Sequence, residues 1–98
     1  SVLGIGQTLQ DVTAQRALAT NYTNPTTRPI VVYGAGTSAL AGASMALVVN
    51  GTVVSTSTYA GTGAEFGVSS IVPSGASYWI VASGLTNGNT PKKWMEYR

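Results

Sequence analysis

Apolar and polar residues alternate in short runs along most of this chain, and Gly, Asn or Pro breaks the runs about every 8–12 residues. Helical periodicity is scarce. Only residues 11–19 could pass as a short helix, and Val12, Thr13 and Thr20 weaken it. The remaining pattern predicts about eight short strands, over residues 7–13, 17–23, 28–33, 44–49, 52–56, 65–72, 77–83 and 93–98. That spacing is the signature of an antiparallel β-sandwich or a small barrel, and we read an all-β sandwich. Residues 7–98 form a single domain, and residues 1–6, with Gly4 and Gly6, read as a linker from an upstream region.

Asn50-Gly51 is the clearest local signal, because both residue types tolerate the positive φ of a type I′ turn. A two-residue loop pairs Val49 with Thr52, Val48 with Val53 and Leu47 with Val54. Met45, Leu47, Val49 and Val54 then share the face expected in the core. Ala46, Val48 and Val53 share the other, which is still apolar, as in a central strand or one pressed against a partner. Val72-Pro73-Ser74-Gly75 predicts a second tight turn. The longer connections, 34–43, 57–63 and 84–92, alternate with these turns. If successive strands run antiparallel, all three meet at one end, and binding residues concentrate on loops held by a rigid scaffold.

Charge changes the picture most. Eight residues are charged, 8% of the chain, against roughly 25% in an ordinary domain. The net charge is +2, too little for a nucleic-acid footprint. A β-rich surface with so little charge risks edge-to-edge association, and a copy of the same chain is a natural cover. The most apolar run, residues 39–49, is too short to cross a bilayer and contains Gly42 and Ser44. The start, Ser1-Val2-Leu3-Gly4, has no signal-peptide pattern.

The residues needed for catalysis are scarce. There is no Cys and no His, so the commonest nucleophile activator and metal ligand are missing. The three carboxylates, Asp11, Glu65 and Glu96, are scattered and read as partners for arginines, neither a glycosidase pair nor a calcium cage. Lys92-Lys93 reads as a solvated pair. Gly34-Ala35-Gly36 lacks the third glycine and the helix of a dinucleotide fingerprint. We expect no enzyme, cofactor or metal. Adjacent Tyr78 and Trp79 face opposite ways on a strand, so one of them belongs to the core. The candidate ligand-binding residues are Tyr33 and Tyr59, flanking the long-loop end, with Asn87 and Asn89 within it. A tyrosine stacks on a sugar face, and asparagine offers donors and acceptors to its hydroxyls.

The segment Gly6-Gln7-Thr8-Leu9-Gln10-Asp11-Val12-Thr13, followed by Arg16-Ala17, Tyr22-Thr23-Asn24 and Arg28-Pro29-Ile30, resembles the small C-terminal β-domain of tailed-bacteriophage and prophage tail fibre or tail tip proteins. Val49-Asn50-Gly51, Val72-Pro73-Ser74-Gly75 and Trp94-Met95-Glu96-Tyr97-Arg98 continue the resemblance in order, over nearly the whole chain. Leu9 stands where that pattern usually has Trp, and Thr27 where Gly is common. The resemblance implies a virion component, extracellular when mature. It implies a homotrimer at a fibre's distal end that attaches to a bacterial surface glycan or protein receptor. It also suggests that Asp11, Arg16, Arg28, Glu96 and Arg98 are structural ion-pair partners, within or between subunits. The alternative is a purely structural trimerisation cap or capsid decoration protein. An enzyme acting on surface polysaccharide is the third reading.

Overall fold

A computed structural model describes residues 7–39, 42–59, 61, 63, 65–85 and 92–98, with the side chain of residue 59 left out. The chain forms two antiparallel four-stranded sheets packed as a sandwich. The strands in chain order are β1 (Leu9–Asp11), β2 (Tyr22–Thr23), β3 (Ile30–Thr37), β4 (Ala43–Val49), β5 (Thr52–Tyr59), β6 (Glu65–Val72), β7 (Ser77–Ser83) and β8 (Lys93–Tyr97). Sheet I has the order β1-β8-β3-β6, and sheet II the order β2-β7-β4-β5. Ile30, Val32, Val68, Val72 and Trp94 of sheet I meet Met45, Leu47, Val49, Tyr78 and Ile80 of sheet II in one core. Within each strand these residues are an even number of positions apart, the period at which a strand returns to the same face.

The first segment departs from expectation. The strand expected over 7–13 shrinks to β1, and the one over 17–23 to the two residues of β2. The helical alternative over 11–19 survives only as a 3-10 turn at Thr13–Gln15. Asp11 marks where β1 gives way to that turn. Its Oδ1 accepts from the Thr13 backbone N–H at 3.0 Å and from the Thr13 hydroxyl at 2.5 Å. Such local side-chain bonds compete with the strand ladder and turn the chain away.

β3 is longer than the alternation suggested, running to Thr37 where residues 34–43 read as a loop. Gly34 and Gly36 are inward positions of a continuous strand, used because Ile80 of sheet II and Leu85, just beyond β7, leave no room for a side chain. A Cβ on Gly34 would collide with Ile80 Cδ1, and one on Gly36 would lie 2.7 Å from Leu85 Cδ1. The connection after β3 is therefore 38–42.

The Asn50-Gly51 turn forms with φ of 50° and 81°, both in the left-handed region. Val49 pairs with Thr52 and Val48 with Val53, as expected, but Leu47 pairs with Ser55. Val54 is the extra residue of a bulge and is 46% exposed, outside the core face assigned to it. A bulge bends and twists an edge strand, which makes β5 a poorer template for pairing with another chain.

The alternation of long and short connections holds. Ser38 bridges to Leu85, Ala39 N–H donates to Gly84 C=O at 2.6 Å, and Gly63 N–H donates to Ser38 C=O at 2.8 Å. Described parts of all three longer connections thus meet at one end. The two tight turns meet at the other, where Asn50 N–H donates to Ser77 C=O at 2.9 Å and Asn50 Oδ1 accepts from Ser77 N–H at 3.0 Å.

Candidate functional site

Chemistry would first be sought at Glu96, a fully buried carboxylate, but the structure commits it to holding the sheets together. Oε2 accepts from Arg16 Nε (3.1 Å), the Tyr78 hydroxyl (2.7 Å) and Trp94 Nε1 (3.1 Å). Oε1 accepts from Arg16 Nη2 (3.2 Å) and Arg98 Nη1 (2.7 Å). Five donors saturate the roughly four lone-pair directions of a carboxylate and leave none for a substrate. Burial pushes this carboxyl up, but the bonds from Arg16, Tyr78 and Trp94 outweigh it and hold the group below its usual range. The Tyr78 hydroxyl is pushed up to about 12 by burial, and then by its bond to Glu96. Arg16 also lies 4.7 Å over the Tyr22 ring, which packs edge-on against Trp94. The arginine–carboxylate pairing read from the sequence is thus present within one chain for Arg16, Glu96 and Arg98.

The other carboxylates are engaged elsewhere. Asp11 holds its turn, and the Thr13 hydroxyl and N–H keep its carboxyl below the usual range. Glu65 pairs with Lys92 at 3.3 Å on the surface. Among the described residues, no three His, Cys, Asp or Glu side chains gather closely enough to hold a metal ion.

The sequence-derived ligand residues do not come together as a set. Tyr33 lies in mid-strand, opposite Ser69 and Met95, on the outward face of sheet I. It was expected to flank the long-loop end, but β3 continues four residues past it. Tyr59 ends β5, paired with Ala43, beside the long-loop end as expected. Asn87 and Asn89 lie outside the described residues.

Among the described residues, a concavity lies on the outward face of sheet II. A depression of about 400 Å³ is lined by Ser44, Ala46, Thr56, Thr58, Val81 and Ser83, with Met45, Ser57 and Ala82 behind them. Register explains it. Ser83, Ser44 and Thr58 form one row across three strands, and Val81, Ala46 and Thr56 form the next. Small residues on the central strand β4 leave a trough between its neighbours. The Ser44 and Ser83 hydroxyls, on the paired strands β4 and β7, lie 3.2 Å apart at its upper row. The third row is Trp79, Val48 and Val53, in which Val48 is buried despite facing outward. A second depression, of about 330 Å³, adjoins at Val81 and is lined by Ala19, Asn21, Trp79 and Val81. Ala19 reaches it with a φ of 60°. The upper row contains the last residue of β7 and the next-to-last of β5, so the trough opens at the long-loop end.

Trp79, which the sequence left undecided against Tyr78, is half-buried on this face, whereas Tyr78 is fully buried in the core. The available signal was the second apolar face of the hairpin, Ala46 and Val48, which continues the surface on which Trp79 stands.

No family model and no curated protein matches this chain. Among solved structures, it is similar to the EclA C-terminal domain, a sugar-binding protein, with a TM-score of 0.54 and 7% identity over 100% of this chain and 79% of that one. The likeness is one of fold. It places the two four-stranded sheets in an architecture seen in another protein, without transferring any residue. A further similarity is to dimeric latent PorU from Porphyromonas gingivalis, with a TM-score of 0.48 and 14% identity over 90% of this chain and 10% of that one.

Proposed function

We propose that this domain is a non-catalytic, glycan-binding adhesion module, and that it acts at the tip of a phage tail fibre in contact with the host surface. The observation that carries the reading is the trough on sheet II. It combines a partly exposed indole, Trp79, with serine and threonine hydroxyls and the Asn21 amide around an apolar floor. Pyranose rings present an apolar face to stack on an aromatic ring and hydroxyls that need both donors and acceptors. The sugar-binding activity of the EclA domain supports the same class of ligand. The order of motifs along the chain supports the tail-fibre setting and the homotrimer. Three copies on one rigid fibre would convert weak single sites into strong attachment by avidity.

The outward face of sheet I favours the structural cap as a second reading. Leu9, Tyr97, Val31 and Ile71 fall in register across all four of its strands, with Leu9 64% and Ile71 53% exposed. Such an apolar belt suits contact between copies. Cell-binding assays separate the two readings. Adhesion predicts that Trp79→Thr abolishes binding to host cells while oligomeric state, read by light scattering, is unchanged. A cap predicts unchanged cell binding in that variant and loss of the oligomer in Ile71→Lys. Tyr59→Ala and Asn87→Ala test whether the loop end contributes. If binding persists in both, the trough acts without it.

A further inference from the structure

The charge and the shape of the trough narrow the class of glycan, an inference that rests on the glycan-binding reading. No strand of sheet II carries a charged residue. Asp11, Glu65, Lys93 and Glu96 stand on strands of sheet I, and Arg16, Arg28, Lys92 and Arg98 lie in connections or at the end of the chain. A carboxylate, sulfate or phosphate laid in the trough would lose water without meeting a cation. An ion left unpaired in that way is disfavoured relative to a neutral group of the same shape. A neutral sugar suffers no such loss, because hydroxyls and an amide satisfy its polar atoms as donors and acceptors.

The trough is also divided. Val81, 36% exposed, is common to both depressions. On one side lie the hydroxyls of Ser44, Thr58 and Ser83, and on the other Trp79 and Asn21. Each side offers a ring its own partners, and the two depressions, about 400 and about 330 Å³, together hold more space than one ring fills. We infer that the site takes an uncharged oligosaccharide of at least two residues, with one ring on the hydroxyl-lined side and the next against Trp79.

The test uses the full chain on an array of matched oligosaccharides, each neutral sequence paired with a uronic- or sialic-acid-containing counterpart. Calorimetric titration then uses the best neutral ligand and its component monosaccharides. Neutral glycans are expected to bind at least about tenfold more tightly than their acidic partners, and the oligosaccharide at least about tenfold more tightly than either monosaccharide. Affinity for the neutral ligand should change less than about twofold between about 50 and about 500 mM salt, because no charge is there to screen. Thr56→Lys, on the exposed edge strand, should shift preference toward the acidic partners. Preference for acidic glycans, a tenfold loss with salt, or equal binding of a monosaccharide would overturn the inference while leaving glycan binding intact. Binding to no glycan on the array would overturn the parent reading as well.

Discussion

Sheets I and II are built from the same stock of Val, Ser, Thr and Tyr, yet the charged strand residues all stand on sheet I. Sheet I turns its most important charge inward. Glu96 reaches between the sheets to Tyr78 and gathers two arginines around it. Sheet II has no charge to turn, and its outward face is a neutral trough. One sheet supplies the clamp and the other the open surface. A scaffold locked by a buried, saturated network on one side lets the outward face of the other sheet carry few of the contacts that hold the sheets together. Tyr78 and Trp79 show the division at its smallest scale. They are neighbours on β7, one hydrogen-bonded into the clamp and the other beside the trough.

Breaking the clamp should have the largest effect. Glu96→Gln leaves two guanidiniums without a counter-charge, Arg16 only 14% exposed, and removing one partner of a buried pair costs about 3–5 kcal/mol. For a domain of this size that lowers Tm by more than ~10 °C in a thermal melt. The same clamp sets the pH range. Glu96 titrates below its ordinary value of 4.5, so the stability it adds is complete above that value and is lost as pH falls through its folded value. Tyr78 is raised from 10.0 to about 12, so its contribution holds below pH 10.0 and is lost as pH rises toward about 12. Urea unfolding across pH should show a plateau with both flanks, and Tyr78→Phe should remove the alkaline one. At neutral pH that variant loses a bond to a charged group, worth about 1.5–3 kcal/mol.

The hairpin tests sheet II with a smaller change. Gly51→Val places a β-branched residue at φ 81° and should cost on the order of 1–2 kcal/mol, lowering the denaturant midpoint. An unchanged midpoint would mean that the turn relaxes to another type.

Much of this fold was legible in the sequence, because strands and tight turns announce themselves locally. The eight strands, the Asn50-Gly51 turn and the gathering of long connections at one end follow from alternation and turn chemistry alone. What escaped depends on neighbours distant in the chain. Gly34 and Gly36 look like loop residues until Ile80 and Leu85 are seen to fill the space above them. The bulge at Val54 follows from the pairing of β4 and β5, which no local pattern records. Choosing between Tyr78 and Trp79 required the register of β7 against β4, in which Tyr78 faces Val49. The trough was missed for the same reason, since its rows are assembled from three strands. The loop candidates were reachable by counting connections, but Tyr33 was misplaced once β3 proved longer than its hydrophobic run.

The most direct test of the division of labour is a side-by-side measurement on these two neighbours. Tyr78→Phe and Trp79→Thr are compared by thermal melt and by binding to host cells or arrayed neutral oligosaccharides. Threonine keeps a strand-favouring residue at position 79, so its melt should stay within a few degrees of the parent, on the order of 0.5 kcal/mol, while binding is lost. Tyr78→Phe should melt markedly lower yet bind normally at temperatures where it remains folded. The opposite pattern, with Trp79→Thr unfolding the domain or binding like the parent, would contradict the assignment of sheet II's outward face as the working surface.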